Sequence, residues 1–180
     1  TVDDDSADDD TVDDDTVDDD TGITEPVTEI VLHGRVGSSG GGIAPAPDGS
    51  LVSVAAGEHR LYLYTISLDA KLSAVREIVA EGMFSGPAVT VDGAGVRHVV
   101  AHRPDNDLYH FTDASGDWTF ENLTPGELEG TSARLRHDDA NALHLAFRRT
   151  IDGQRRIVYA TNQSGPWVET VVNHDLPIVS

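Results

Sequence analysis

Two short stretches carry the side chains best suited to hold a ligand. Arg103 follows His98 by five residues and Arg149 follows His144 by five, with Asp105, Asp107 and Asp152 close by. Guanidinium groups bind carboxylates through paired N–H donors, so Arg103, Asp105, Asp107, Arg149 and Asp152 together suit a polar or carboxylated ligand. Loops exposed to water are charged in any case, which is the plainer account of the same residues. His98 and His144 occupy one position of a repeat, so two imidazoles on neighbouring units could share a metal. A residue repeated in register more often serves packing, and Ser53 breaks the series in the first copy. The two histidines are therefore read as structural repeat positions, with no metal assigned. His33, His59, His102, His110, His137 and His174 have no H-E-x-x-H spacing and are assigned to surface or turns. Neither a G-x-S-x-G nucleophile motif nor a glycine-rich loop opening a helix is present, so no catalytic residue and no cofactor is assigned. Trp118, Trp167, Tyr62, Tyr109 and Tyr159 could stack on sugars, but their place in the repeat favours packing between strands.

Those residues sit on a recurring unit with four landmarks. An Asp-led turn occurs at Asp48-Gly49, Asp92-Gly93 and Asp138-Asp139, at intervals of 44 (48 to 92) and 46 (92 to 138) residues. An apolar strand follows each, from Leu51, Val96 and Ala142. An alternating strand then ends in Thr65, Thr112 or Thr161. Trp118 and Trp167 come six residues after the second and third of these, and Val75 takes the place in the first copy. Period-two alternation between Gly, Asp, Asn and Pro turns predicts four strands per unit and no helix. The expected strands are 43–47, 51–55, 61–66 and 75–80; then 87–91, 96–102, 108–112 and 118–123; then 132–137, 142–148, 156–161 and 167–173. Glu25 to His33 reads as a leading strand before a Gly/Ser linker, and Leu176 to Val179 as the start of a fourth unit.

The first 20 residues are a five-residue repeat with twelve of the chain's Asp and no basic residue. Such a block repels itself and has too little apolar surface to offset the entropy of ordering, so residues 1–22 are expected to be a solvated tail or linker. The formal charge is −20, and −8 without those twelve Asp, which argues against nucleic acid as a partner. No apolar run approaches the roughly 20 residues of a membrane-spanning helix. With no cysteine, disulfides and thiolate metal sites are excluded. A chain beginning at Thr is expected to be processed or to be part of a longer one. The Asp-rich spacer resembles linkers of bacterial surface and secreted lipoproteins, which implies a secreted or cell-surface location.

Residues 42–175 resemble blades of a β-propeller, divided 42–84, 85–130 and 131–175, because units of four short strands repeat every 44 to 46 residues. An antiparallel β-sandwich is the alternative all-β fold. The turns from Thr112 to Trp118 and from Thr161 to Trp167 resemble degenerate Asp-box hairpins of the sialidase-like superfamily. That resemblance implies a partial propeller of about three blades. The superfamily's arginine cluster and Tyr/Glu nucleophile pair have no counterpart here. In a propeller the loops between second and third strands share one face, here 57–60, 102–107 and 148–155, which places Arg103 and Arg149 on that face. The expected function is a non-catalytic extracellular binding or scaffold propeller for a glycan or protein. The alternative is a sialidase-like glycan hydrolase or lyase using Asp105 and Glu127. Three blades fall short of the 4 to 8 of a closed ring, so self-association or further blades from a longer chain are expected.

Overall fold

A computed structural model describes residues 41–68, 73–105, 107–126 and 131–172. The expected tail 1–22, the leading strand 25–33 and the trailing strand 176–179 lie outside them. The described residues form twelve strands and no helix. Sheet I contains β1 (Gly41–Pro45), β2 (Leu51–Gly57), β3 (Arg60–Ser67) and β4 (Ser73–Glu81). Sheet II contains β5 (Ser85–Val91), β6 (Arg97–His102), β7 (Leu108–Thr112) and β8 (Thr119–Asn122). Sheet III contains β9 (Thr131–His137), β10 (Leu143–Ile151), β11 (Gln154–Thr161) and β12 (Val168–Val171). Every sheet is antiparallel with its strands in chain order.

The side-chain pattern dictates how the sheets stack. In β9, Ala133 and Leu135 are buried while Ser132, Arg134 and Arg136 between them are exposed, so sheet III covers only one face. In β6, every residue from His98 to His102 is buried, which requires a neighbour on both faces. Sheet II is that middle layer. Val99, Ala101, Tyr109 and Phe111 pack with Val52, Val54 and Leu63 of sheet I, and Val100 and Leu108 with Leu135, Leu145 and Phe147 of sheet III. Each fully buried leucine here contributes about 1.5–3 kcal/mol. The first strands also run beside one another, β1 against β5 and β5 against β9. Gly42 permits this closeness, since a Cβ there would lie 3.0 Å from the Val89 amide nitrogen. Three consecutive four-stranded antiparallel sheets meeting along their first strands give the expected all-β architecture, which accords with a partial β-propeller of three blades and with the sandwich alternative.

The repeat is more regular than its turn signals suggest. Asp92 N–H donates to the Val96 carbonyl, Asp138 N–H to that of Ala142, and Ala46 N–H to that of Ser50. Ala46, not Asp48, is thus the counterpart of Asp92 and Asp138, and both intervals are 46 residues (46 to 92 and 92 to 138). Pairing agrees, because Val52 faces Thr65 as His98 faces Thr112 and His144 faces Thr161. Val52, not Ser53, therefore holds the histidine position in sheet I. Asp48 is two residues displaced because it closes its own turn, accepting from Ser50 N–H at 2.9 Å. Ala74, not Val75, corresponds to the two tryptophans, since it pairs with Ile66, one beyond Thr65.

Candidate functional site

The repeated histidines are engaged by their own sheets. Asp92 Oδ1 accepts from the Ala94 and Val96 amides at 2.9 Å, fixing the turn, while its Oδ2 stands 3.6 Å from His98 Nε2. His98 Nδ1 lies 3.2 Å from His110 Nε2, and His110 Nδ1 is 2.9 Å from Glu121 Oε1. Glu121 also accepts from Trp167 Nε1 of sheet III at 2.9 Å. Sheet III repeats the theme: Asp138 caps Ala140 and Ala142, and His144 bridges Asp138 at 3.1 Å and the Tyr159 hydroxyl at 2.6 Å. Burial, and secondarily His110, holds His98 below the ordinary imidazole range. The bond from His110 lowers the Glu121 carboxyl, and the bond from His144 lowers that of Asp138. His144 thus ties the first turn of sheet III to its third strand, while His98 bonds the third strand of sheet II and stands beside Asp92 with Nε2 unpartnered. No group of three His, Asp or Glu among the described residues could hold a metal ion.

His102 and His110, expected on the surface or in turns, are buried in the seam between sheets II and III. Alternation along β6 puts His98, Val100 and His102 on one face, and sheet III covers it. Neither ring nitrogen of His102 has a partner, and burial pushes its pKa down to about 4. His137 reaches across the same seam, its Nδ1 3.0 Å from Thr90 Oγ1.

Of the five expected ligand-binding residues, Arg103 lines a cleft between sheets I and II. This opening of about 240 Å³ is walled by Val79, Ala80 and Glu81 of β4 and by Phe84, Arg103, Tyr109, Phe111, Trp118 and Phe120. The Arg103 guanidinium lies 5.0 Å from the Tyr109 ring centre and 5.6 Å from that of Phe84. Gly82 leaves it room, since a Cβ there would sit 3.4 Å from Nη2. No carboxylate or carbonyl among the described residues pairs with this guanidinium. Trp118 is half-buried beneath the Arg97 guanidinium, and Phe120 is 64% exposed. Arg97 itself is bound to Asp113 and Glu77.

Of the other four, Asp105, Asp107 and Arg149 are bonded within the frame and Asp152 is exposed. Asp105 accepts from Asp107 N–H at 3.1 Å and from the Tyr109 hydroxyl at 3.3 Å. Asp107 is buried and accepts from Asn122 Nδ2 at 2.6 Å, fastening the loop to β8. Arg149 lies inside β10 rather than on a loop, because that strand runs on to a two-residue Asp152-Gly153 turn. Its Nη1 bonds Glu169 Oε2 at 2.7 Å with only 12% of the side chain exposed. Asp152 is exposed at the tip of that turn, with φ of 52°. By pairing, Arg149 in the II/III seam corresponds to Arg103 in the I/II seam, and Glu169 opposite Ala160 corresponds to Phe120 opposite Phe111. Sequence reasoning missed Phe84 and Phe120. Phe120 alternates with Glu121 on β8 and could have been found; Phe84 sits in a connector with no such signal.

No protein-family model and no curated protein matches the chain. Among solved structures, the chain is similar to a fucose lectin from Kordia zhangzhouensis in complex with methyl-fucoside. The likeness has a TM-score of 0.51 and 12% sequence identity, and covers 75% of this chain and 100% of that one. At that identity the likeness is one of fold.

Proposed function

We propose that this chain is a non-catalytic glycan-binding module and that the I/II cleft receives a sugar. The observation that carries this reading is the Arg103 guanidinium, unpaired among the described residues, inside a cleft walled by aromatic rings. Sugars present apolar C–H faces, which rings such as Phe120 and Trp118 can stack against, and hydroxyls, which a guanidinium can bind. The cleft is below the roughly 300–1,000 Å³ of sites for drug-sized ligands, which suits a single sugar ring. Its lining contains one carboxylate, Glu81, already paired with Arg60 at 3.3 Å, whereas glycosidases generally use two. Binding is therefore favoured over a sialidase-like hydrolase or lyase. The likeness of fold to a fucose lectin makes methyl-fucoside the first probe. The matching hairpins after β7 and β11, where Asp113 accepts from Arg97 N–H and Asn162 from Leu143 N–H, support kinship with the Asp-box propellers. A secreted or cell-surface setting accords with this role.

A glycan array beside a panel of chromogenic glycosides tests the reading. At least one glycan should bind, none should turn over, and Arg103→Ala should weaken binding tenfold or more while the fold persists. Phe120→Glu should also abolish binding, because it places a carboxylate where Glu169 neutralises Arg149. Binding that survives both substitutions removes the cleft from consideration, and turnover of any glycoside restores the hydrolase reading.

A further inference from the structure

The outer face of sheet III, turned away from sheet II, is basic in an otherwise acidic chain. Because Ala133 and Leu135 point inward, Arg134 and Arg136 point outward. On β10, Leu145 and Phe147 point inward and Arg148 outward; on β11, Val158 points inward and Arg155 outward. Four of the chain's twelve basic residues thus share one face. Arg134 and Arg136 are exposed, and their Nη1 groups donate to the carbonyls of Ala133 and Leu135 beside them, at 2.9 and 3.0 Å. Among the described residues, the nearby carboxylates stand at its ends: Asp138, held by His144, Asp139 in the same turn, and Asp152 in the hairpin.

We propose that this face docks the chain's own Asp-rich segment, residues 1–20. Twelve Asp with no basic residue make it the strongest complementary charge in the sequence. Reach permits it. Residues 21–40 separate the block from Gly41, and twenty extended residues span up to about 66–72 Å, whereas stacked sheets lie about 10 Å apart, so the outer face of sheet III is roughly 20–30 Å from β1. A second copy stacked by its sheet I is a poorer occupant, because Tyr62 and Tyr64, on the face of that sheet turned away from sheet II, are only 5% and 3% exposed, and Arg76 over the Tyr62 ring adds another cation there. Contacts of this kind are exposed and multivalent, so they weaken as salt shortens the screening length from about 10 Å at 0.1 M to about 3 Å at 1 M.

The lack of native cysteine allows a single label in the full chain. A nitroxide on Thr11→Cys should broaden the amide resonances of Arg134, Arg136, Ala146 and Tyr159 at 20 mM salt, and the effect should fall at least fivefold at 1 M. It should vanish in Arg134→Glu/Arg136→Glu, and equally when Asp13, Asp14 and Asp15 become Asn, a change that leaves the sheets untouched. Absent broadening, or broadening indifferent to charge reversal and neutralisation, overturns the proposal. Mixing the nitroxide-bearing chain with isotope-labelled chains that lack the nitroxide detects transfer between molecules. Broadening seen only in such mixtures assigns the face to a second copy's segment and also overturns it.

Discussion

The packed interior between sheets I and II is hydrocarbon, with the Arg97–Glu77 ion pair joining the sheets outside it: Val52 and Leu63 stand where sheet II has His98 and His110. Sheets II and III meet through those imidazoles, with His102 beside them and Glu121 bound to Trp167 across the gap. Farther out the polarity reverses. The I/II seam opens on Arg103 and aromatic rings, while the II/III seam closes its arginine with Glu169. One unit used twice has thus yielded a seam whose packed interior holds no imidazole, with an available guanidinium, and a seam whose interior holds three imidazoles, with a satisfied one. The proposed sugar site belongs to the first, and the expected pH dependence to the second.

The largest test of that contrast is acid titration. His102 has a folded pKa of about 4, below its ordinary 6.5, so between these values the unfolded chain binds more protons than the folded one. Stability is fully present above about pH 6.5 and is lost as pH falls toward 4, by up to about 3 kcal/mol. Thermal melts should show this fall, and His102→Leu should flatten that part of it. An unchanged profile in the variant would place the sensitivity elsewhere.

A smaller effect separates the two arginines. Glu169→Ala leaves Arg149 mostly buried without its carboxylate and should cost about 2 kcal/mol in urea unfolding, somewhat below the range for fully buried pairs. Arg103→Ala should cost less than about 1 kcal/mol, since its charge supports no ion pair among the described residues. Equal costs would dissolve the distinction between the seams.

Much of this molecule was legible before any coordinates. All twelve strands were, because alternation and turn residues are local properties, and the equivalence of Arg103 with Arg149 follows from counting. Their different fates were not, because whether Glu169 or Phe120 meets the arginine depends on strand pairing across the hairpin. The first turn misled because Asp48 is a sound local signal displaced from the position that backbone bonding assigns to Ala46. His102 was misjudged for a similar reason: alternation puts it on the same face of β6 as His98, but only the stacking of sheet III makes that face an interior.

The smallest test compares the tips of two hairpins. Sheet III turns on Asp152-Gly153, with φ of 52° and 74°, whereas sheet I makes the corresponding turn on Glu58-His59, with φ of 51° and 58°. Left-handed backbone costs a residue with a Cβ about 1 kcal/mol. His59→Gly should therefore raise the urea midpoint by an amount worth roughly 1 kcal/mol. No gain would mean that His59 makes a compensating contact at the mouth of the neighbouring cleft.

The chain-order arrangement of strands also has a consequence for synthesis. Every hairpin joins neighbours in sequence, so sheet I can assemble once residue 81 has left the ribosome, before any of sheet II has emerged. Its apolar face then waits for β5 to β8, which follow within about 40 residues, roughly 2–8 seconds of translation. The hydrocarbon seam thereby forms first and shields the most aggregation-prone surface early. The proton-sensitive seam closes last, on a core that is already built.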